Sequence, residues 1–141
     1  MGNKQEFSAT ILVVDDEPAV RRFMSRALAR DGYRVIETDG AGAARDAVQA
    51  NHDSLRLIVC DIRMPGTGGL DFANELSQMG IDLPVLYVSG MAGSTVVEGI
   101  SRSNPLVMLV KPFSAEELLR RVRAILRPEC SENAPTAFAA G

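Results

Sequence analysis

The sequence lacks the features that would place it in a membrane or in an oxidising compartment. Its two cysteines, Cys60 and Cys130, form no CxxC pair and are too few for a disulfide framework. No apolar run approaches the roughly 18 residues of a membrane-spanning helix, and none of signal-peptide length precedes the first predicted strand. We therefore expect a cytoplasmic protein without a membrane partner, with Cys60 buried as a small apolar side chain and Cys130 exposed.

Basic clusters are also absent. The 15 Lys and Arg residues are outnumbered by 18 Asp and Glu residues, and the net charge is −3. No run of Lys and Arg resembles a surface that follows a phosphate backbone. We therefore predict that the chain by itself has no nucleic-acid partner.

The length of 141 residues and the apolar fraction of 46% are those of one globular domain. We assign residues 1–8 to a polar lead-in and residues 9–127 to the domain. Residues 128–141 are rich in Ala, Ser and Pro and have little to bury, so we predict a disordered tail.

Five short apolar segments, bounded by turn residues, predict buried strands, and helical patterns separate them. The first helix begins at Pro18 and carries an apolar stripe that includes Phe23, and Ser114 opens the last helix with a capping box. The third helix is predicted to present Leu70, Ala73 and Leu76 on one side. The predicted strands are residues 9–14, 33–38, 55–60, 83–88 and 106–110, and the predicted helices are residues 18–31, 41–50, 69–79, 92–102 and 114–127.

Apolar strands that alternate with helices predict a parallel sheet covered on both faces. The predicted fold class is therefore α/β, a doubly wound, five-stranded parallel sheet with the flavodoxin-like order 2-1-3-4-5. In such a sheet ligands bind outside the carboxyl ends of the strands, where the winding reverses between the first and third strands. Asp15 and Asp16 follow the first strand, and Asp61 follows the third.

These three acids, Asp15, Asp16 and Asp61, are expected to share one shallow pocket. Like charges a few ångströms apart oppose each other's ionisation unless a cation lies between them. Carboxylate oxygens favour a hard ion such as Mg²⁺, and no soft ligand is placed for zinc or copper. An acidic rim that only repels other molecules is the alternative.

Ser89 and Lys111 follow the fourth and fifth strands and face the same pocket. A hydroxyl, an ammonium and Mg²⁺ together suit a phosphoryl group, and an aspartate can be the nucleophile that forms an acyl phosphate. A turn serine or a surface lysine is ordinary when taken alone. The interpretation therefore depends on the whole set of residues.

Four motifs, in order over roughly residues 11–126, resemble the signature of response-regulator receiver domains of two-component signalling. They are Val-Val-Asp15-Asp16-Glu, Cys-Asp61-Ile-Arg-Met-Pro-Gly, Val-Ser89-Gly and Val-Lys111-Pro-Phe. The resemblance implies that Asp61 accepts a phosphoryl group, that Ser89 binds one of its oxygens and that Lys111 pairs with it. It also implies Mg²⁺ as the cofactor, bound by Asp16, Asp61 and the main-chain carbonyl of Arg63, with Asp15 acting through water.

The chain departs from the family pattern at the switch position. Receivers commonly carry a Tyr or Phe three positions before the lysine, where this chain has Met108, which lacks the two defined positions of a ring. Arg63 and Met91 occupy positions that resemble those at which the family's residues set the lifetime of the phosphoryl group. Their side chains either hinder the water that attacks the acyl phosphate or are neutral surface residues. The peptide bond before Pro112 is often cis in this family.

The resemblance implies a phosphoacceptor module, not an enzyme with an external substrate. It would take a phosphoryl group from a histidine kinase or a phosphotransfer protein, lose it by hydrolysis, and signal by contacting a downstream protein, either as a monomer or as a homodimer. The lone His52, which we expect to be exposed, argues against a phosphohistidine donor.

Three other functions are compatible with the fold. A phosphohydrolase with an aspartyl nucleophile usually needs a second acid two residues further on, where this chain has Arg63. A flavin binder would need a hydroxyl-rich phosphate loop after the first strand, where three acids stand. A receiver fold kept only as a protein-binding scaffold is the third.

Overall fold

The computed structural model describes residues 9–90 and 108–126. In chain order its elements are β1 (Thr10–Val14), α1 (Pro18–Arg30), β2 (Arg34–Thr38), α2 (Ala41–Asn51), β3 (Leu55–Asp61), α3 (Gly69–Gln78), β4 (Val85–Ser89), β5 (Met108–Val110) and α4 (Ala115–Leu126). The five strands of the described residues lie in one parallel sheet in the order β2-β1-β3-β4-β5. The predicted fold class and strand order are therefore confirmed.

The strands end within two residues of one another at the edge of the sheet where the acids lie. Val14 of β1 pairs with both Thr38 of β2 and Cys60 of β3. Beyond β3 in the same sheet, Ser89 of β4 pairs with Val110 of β5. The residues that follow these pairs therefore line one edge, as the parallel topology requires.

Helices cover both faces of the sheet. One core lies between the sheet and helices α1 and α4, and the other lies between the sheet and helices α2 and α3. The residues of β1 alternate between the cores, with Ile11 and Val13 in the first and Leu12 and Val14 in the second. This two-sided burial explains why the strands are continuously apolar in sequence.

Several local predictions are confirmed. Ser114 Oγ accepts a hydrogen bond from the Glu117 N–H at 3.0 Å, which begins α4 as the capping box predicts. Cys60 is fully buried. The side chain of His52 is 59% exposed.

Helix α3 differs from the prediction in the face that it buries, and helix α1 differs in one residue. In α3 the buried side chains are Phe72 and Leu76, whereas Leu70 and Ala73 are half-buried. The backbone of Gly69 packs against the end of β3, and Phe72 and Leu76 belong to the core between the sheet and helices α2 and α3. In α1 the stripe residues Met24, Ala27 and Leu28 are buried as predicted, whereas the side chain of Phe23 is 42% exposed.

Some predictions lie outside the described residues: the lead-in 1–8, the helix 92–102, the tail 128–141, Met91 and Cys130. The domain boundaries at residues 9 and 127 stay predictions. Within residues 9–90 and 108–126, no helix combines the length and apolar character needed to cross a bilayer.

Candidate functional site

Asp15 directly follows β1 and is fully buried. Its Oδ1 accepts a hydrogen bond from the Glu17 N–H at 2.9 Å. Its Oδ2 accepts no hydrogen bond within the part of the chain that the structure describes, and it lies 3.6 Å from Lys111 Nζ. Asp15 therefore directs one carboxylate oxygen into the pocket, while the neighbouring Asp16 is exposed.

Asp61 is the last residue of β3 and is 6% exposed. Its Oδ1 accepts a hydrogen bond from the Arg63 N–H at 3.1 Å, and its Oδ2 accepts one from Lys111 Nζ at 3.1 Å. The structure thus brings Asp61 and Lys111 into direct contact. Both carboxylate oxygens have a defined partner, so the orientation of the carboxylate is fixed.

The loop after Asp61 folds back onto the end of β3. The Ile62 N–H donates to the Val88 carbonyl at 2.9 Å, and the Gly69 N–H donates to the Ile62 carbonyl at 2.9 Å. A Cβ atom at Gly69 would lie 2.4 Å from the carbonyl oxygen of Asp61. The close approach of α3 to Asp61 therefore requires glycine at this position.

Lys111 faces three acids at once. Its Nζ lies 3.1 Å from Asp61 Oδ2, 3.6 Å from Asp15 Oδ2 and 3.6 Å from Glu17 Oε1. Burial lowers the pKa of Lys111, but the hydrogen bond to Asp61 and the charges of Asp15, Asp61 and Glu17 outweigh it, so the net pKa is raised. The side chain is therefore a cation at neutral pH.

The buried Asp15 carboxyl is harder to ionise than usual. Its pKa is raised from 3.8 to about 6, first of all by burial. The Glu17 N–H and the Lys111 ammonium favour the ionised form, whereas the charges of Asp61 and Asp16 oppose it. Burial, more than the neighbouring charges, therefore opposes the ionisation of this carboxyl.

The three acids predicted to share a pocket do so. One carboxylate oxygen each from Asp15, Asp16 and Asp61 lies within 4.8 Å of the other two. Oxygen donors alone suit a hard divalent ion such as Mg²⁺, and the buried Asp15 Oδ2 without a hydrogen-bond partner is the kind of oxygen that a cation would engage. The residues present therefore fit Mg²⁺.

The remaining predicted residues occupy the same region in different ways. Ser89 ends β4, is 2% exposed, and its carbonyl accepts the Lys111 N–H at 2.7 Å. Met108 begins β5, is 4% exposed, and its carbonyl accepts a hydrogen bond from Arg121 Nη1 at 2.9 Å. Arg63 is exposed and reaches the site through its backbone. The Lys111–Pro112 peptide bond is cis.

Two residues at the site are not among those predicted from the sequence. Glu17 Oε1 lies 3.6 Å from Lys111 Nζ, and its position next to Asp15 and Asp16 was the available signal. Arg21 Nη1 donates to the carbonyl of Asp15 at 2.9 Å. No local pattern points to this second contact, because it depends on how α1 lies against the end of β1.

The fold and the site define a flavodoxin-like α/β domain with three acids and a lysine at the carboxyl edge of its sheet. The sequence matches the response regulator receiver domain family over residues 11–123. The chain therefore belongs to the response-regulator receiver family.

Relatives and solved structures agree with this assignment. Response regulator MprA of Mycobacterium bovis (strain BCG / Pasteur 1173P2) is 38% identical over 135 residues, covering 94% of this chain and 56% of that protein. Chemotaxis protein CheY4 of Vibrio cholerae has a TM-score of 0.74 at 26% identity, covering 84% of this chain and 99% of that one. The receiver domain of Francisella response regulator 1452 has a TM-score of 0.74 at 26% identity, covering 86% and 99%. This chain spans little more than half of the curated relatives that it matches.

Proposed function

We propose that this receiver domain is a phosphoacceptor that takes a phosphoryl group onto Asp61 from a histidine kinase or a phosphotransfer protein. The observation that supports this most directly is the Asp61 carboxylate, which contacts Lys111 Nζ at 3.1 Å and belongs to a cluster of three acids. A lysine and a cation site on either side of one carboxylate supply the positive charge that phosphoryl transfer requires.

The reaction is a displacement at phosphorus. An Asp61 carboxylate oxygen attacks the phosphorus atom, and the bond from phosphorus to the donor's imidazole nitrogen breaks. The imidazole leaves with the electron pair and takes a proton from solvent, so Asp61 becomes an acyl phosphate. Lys111 pairs with the phosphoryl oxygens, and the Ser89 hydroxyl donates to one of them. Water later cleaves the acyl phosphate, so the chain is a self-dephosphorylating acceptor, not an enzyme with an external substrate.

The metal belongs to the same proposal. Asp16, Asp61 and the main-chain carbonyl of Arg63 would hold Mg²⁺, with Asp15 acting through a water molecule. Bound there, Mg²⁺ would neutralise charge on the phosphoryl oxygens. The acids otherwise repel an incoming phosphoryl group, so we expect the transfer to depend on the metal.

The proposal also covers the partners and the location. The phosphorylated domain would act in the cytoplasm by contacting a downstream protein, with Ser89 and Met108 at the switch positions. Family membership favours this function over the phosphohydrolase and the flavin binder, and the full acceptor set favours it over a scaffold.

The test is phosphorylation of the purified protein by a small phosphodonor such as phosphoramidate, read by intact mass. We expect one added phosphoryl group in Mg²⁺ and none in EDTA. The Asp61→Asn variant should gain none, because its amide cannot form an acyl phosphate. The control Asp53→Asn, at a side chain that is 97% exposed, should be phosphorylated like the wild type. Metal-independent labelling, or labelling of folded Asp61→Asn, would reject the assignment.

A further inference from the structure

The backbone of Asp15 is held from two sides by groups outside its own loop. Its N–H donates to the carbonyl of Thr38, at the end of β2, at 3.1 Å. Its carbonyl oxygen accepts a hydrogen bond from Arg21 Nη1, in the first turns of α1, at 2.9 Å. With Oδ1 bonded to the Glu17 N–H, Oδ2 is the atom of Asp15 left to face the pocket.

Arg21 is itself held in place. Its Nε donates to Glu37 Oε1 at 3.3 Å, and its side chain is 19% exposed. Glu37 lies in β2 directly before Thr38, whose hydroxyl donates to the Val13 carbonyl at 3.1 Å. The end of β2 and the start of α1 therefore hold the end of β1 between them, and Arg21 is the side chain that links all three.

We infer that Arg21 is a positioning residue that aims Asp15 Oδ2 at the Mg²⁺ site. The guanidinium acts through the backbone, because it fixes the peptide plane that follows Asp15 and so limits where the carboxylate can point. Its planar fork can engage the Asp15 carbonyl and the Glu37 carboxylate together, which a single ammonium does less well. This inference rests on the proposed function only in so far as the acids bind Mg²⁺.

Charge and positioning predict opposite effects when Arg21 is removed. Loss of a cation near an acidic cluster would by itself strengthen the binding of Mg²⁺. Because Asp15 would engage the ion through water, loss of the group that orients it weakens binding by up to about 10-fold. Weaker binding in Arg21→Ala therefore reports on positioning.

The chain contains a matched control at the other end of α1. Arg123 of α4 contacts both carboxylate oxygens of Asp31, at 2.7 Å and 3.1 Å, directly after α1. Arg123→Ala removes the same charge and also a contact between α1 and a neighbouring element. It does so away from Asp15.

The experiment is a Mg²⁺ titration without any phosphodonor, followed by the amide chemical shifts of ¹⁵N-labelled protein. We expect the dissociation constant for Mg²⁺ to rise by up to about 10-fold in Arg21→Ala and by less in Arg21→Lys, which keeps the charge and one contact. Arg123→Ala should bind Mg²⁺ like the wild type, even where urea denaturation shows that it is less stable.

Unchanged or tighter Mg²⁺ binding in folded Arg21→Ala would overturn the inference, and so would an equal loss in Arg123→Ala. If Arg21→Ala does not fold, the test passes to Arg21→Lys. A dissociation constant for Mg²⁺ equal to that of the wild type in this variant would also overturn the inference. A wild-type protein that binds no Mg²⁺ would overturn the proposed function as well. Normal wild-type binding with no effect at Arg21 would overturn the positioning role alone.

Discussion

At the residue scale, Asp15 is a carboxylate whose ionisation opposes folding. Its pKa is raised from 3.8 to about 6, chiefly by burial, while the unfolded chain keeps an ordinary value. Between about pH 4 and pH 6 the native protein therefore binds more protons than the unfolded protein. The contribution of Asp15 to the free energy of unfolding is thus most favourable at low pH, and it falls as the pH rises through this range.

We predict that Asp15→Asn stabilises the metal-free protein at pH 7.5. A shift of about two pKa units corresponds to up to about 3 kcal/mol, and the neutral amide avoids this cost but also loses the attraction to Lys111. The gain should shrink at pH 4.5, where most of the native Asp15 is protonated. Urea denaturation in EDTA at the two pH values measures the change in the free energy of unfolding. Asp53→Asn makes the same substitution at an exposed position and is the control. An equal gain at both pH values would contradict the electrostatic explanation.

The charged residues of the site can largely be predicted from the sequence, but the residues that position their side chains cannot. Asp15, Asp61 and Lys111 each end or follow an apolar strand, and a parallel sheet brings such positions to one edge. Arg21 is different, because its bond to the Asp15 carbonyl depends on the distance between α1 and the end of β1. Hydrophobic periodicity carries no information about that distance.

At the scale of elements, the junction between β3 and α3 leaves no space for a side chain at Gly69. A Cβ there would lie 2.4 Å from the Asp61 carbonyl oxygen and 3.1 Å from Ile62 Cα. These are backbone atoms, so relief requires β3 and α3 to move apart. The position of Asp61 and the packing of α3 therefore depend on the same glycine.

We predict that Gly69→Ala lowers the free energy of unfolding by about 1–3 kcal/mol, the usual cost of forcing atoms into a packed interior. The matched control is Gly42→Ala in α2, where a Cβ would meet only Arg45 Nη1 at 4.0 Å. Alanine favours the helix by up to about 1 kcal/mol, so this variant should be as stable as the wild type or more so. Urea denaturation compares the two, and equal effects would contradict the steric argument.

The order and approximate bounds of the elements are predictable because apolar runs and turn residues mark them. The buried face of α3 is not. Leu70, Phe72, Ala73 and Leu76 offer two overlapping apolar stripes, and periodicity alone does not choose between them. Packing against the sheet and α2 selects Phe72 and Leu76, and this packing exists only in the folded chain.

At the scale of the whole molecule, charge is unevenly distributed. The net charge is −3, yet α1 carries four arginines and no acidic residue. Arg22, Arg26 and Arg30 line a groove of about 340 Å³ that Phe23 also lines. Phe23 packs 6.0 Å from the Phe113 ring and lines the adjoining groove beside Lys111 as well. A basic and partly apolar face therefore continues into the edge of the sheet that holds the site.

Under the proposed function, a donor protein that delivers a phosphoryl group to Asp61 would cover this edge, and an apolar helix flanked by acids would complement the groove. We therefore expect the double variant Arg22→Glu and Arg26→Glu to slow transfer from a phosphorylated histidine kinase by about 10-fold or more. Transfer from phosphoramidate should be unchanged, because that donor needs only the pocket.

The control makes the same charge change at Arg34 and Arg56, which are exposed at the opposite ends of their strands. Single-turnover rates with any kinase that phosphorylates the wild type provide the measurement. Equal slowing with both donors, or in the control, would exclude a docking role for this face.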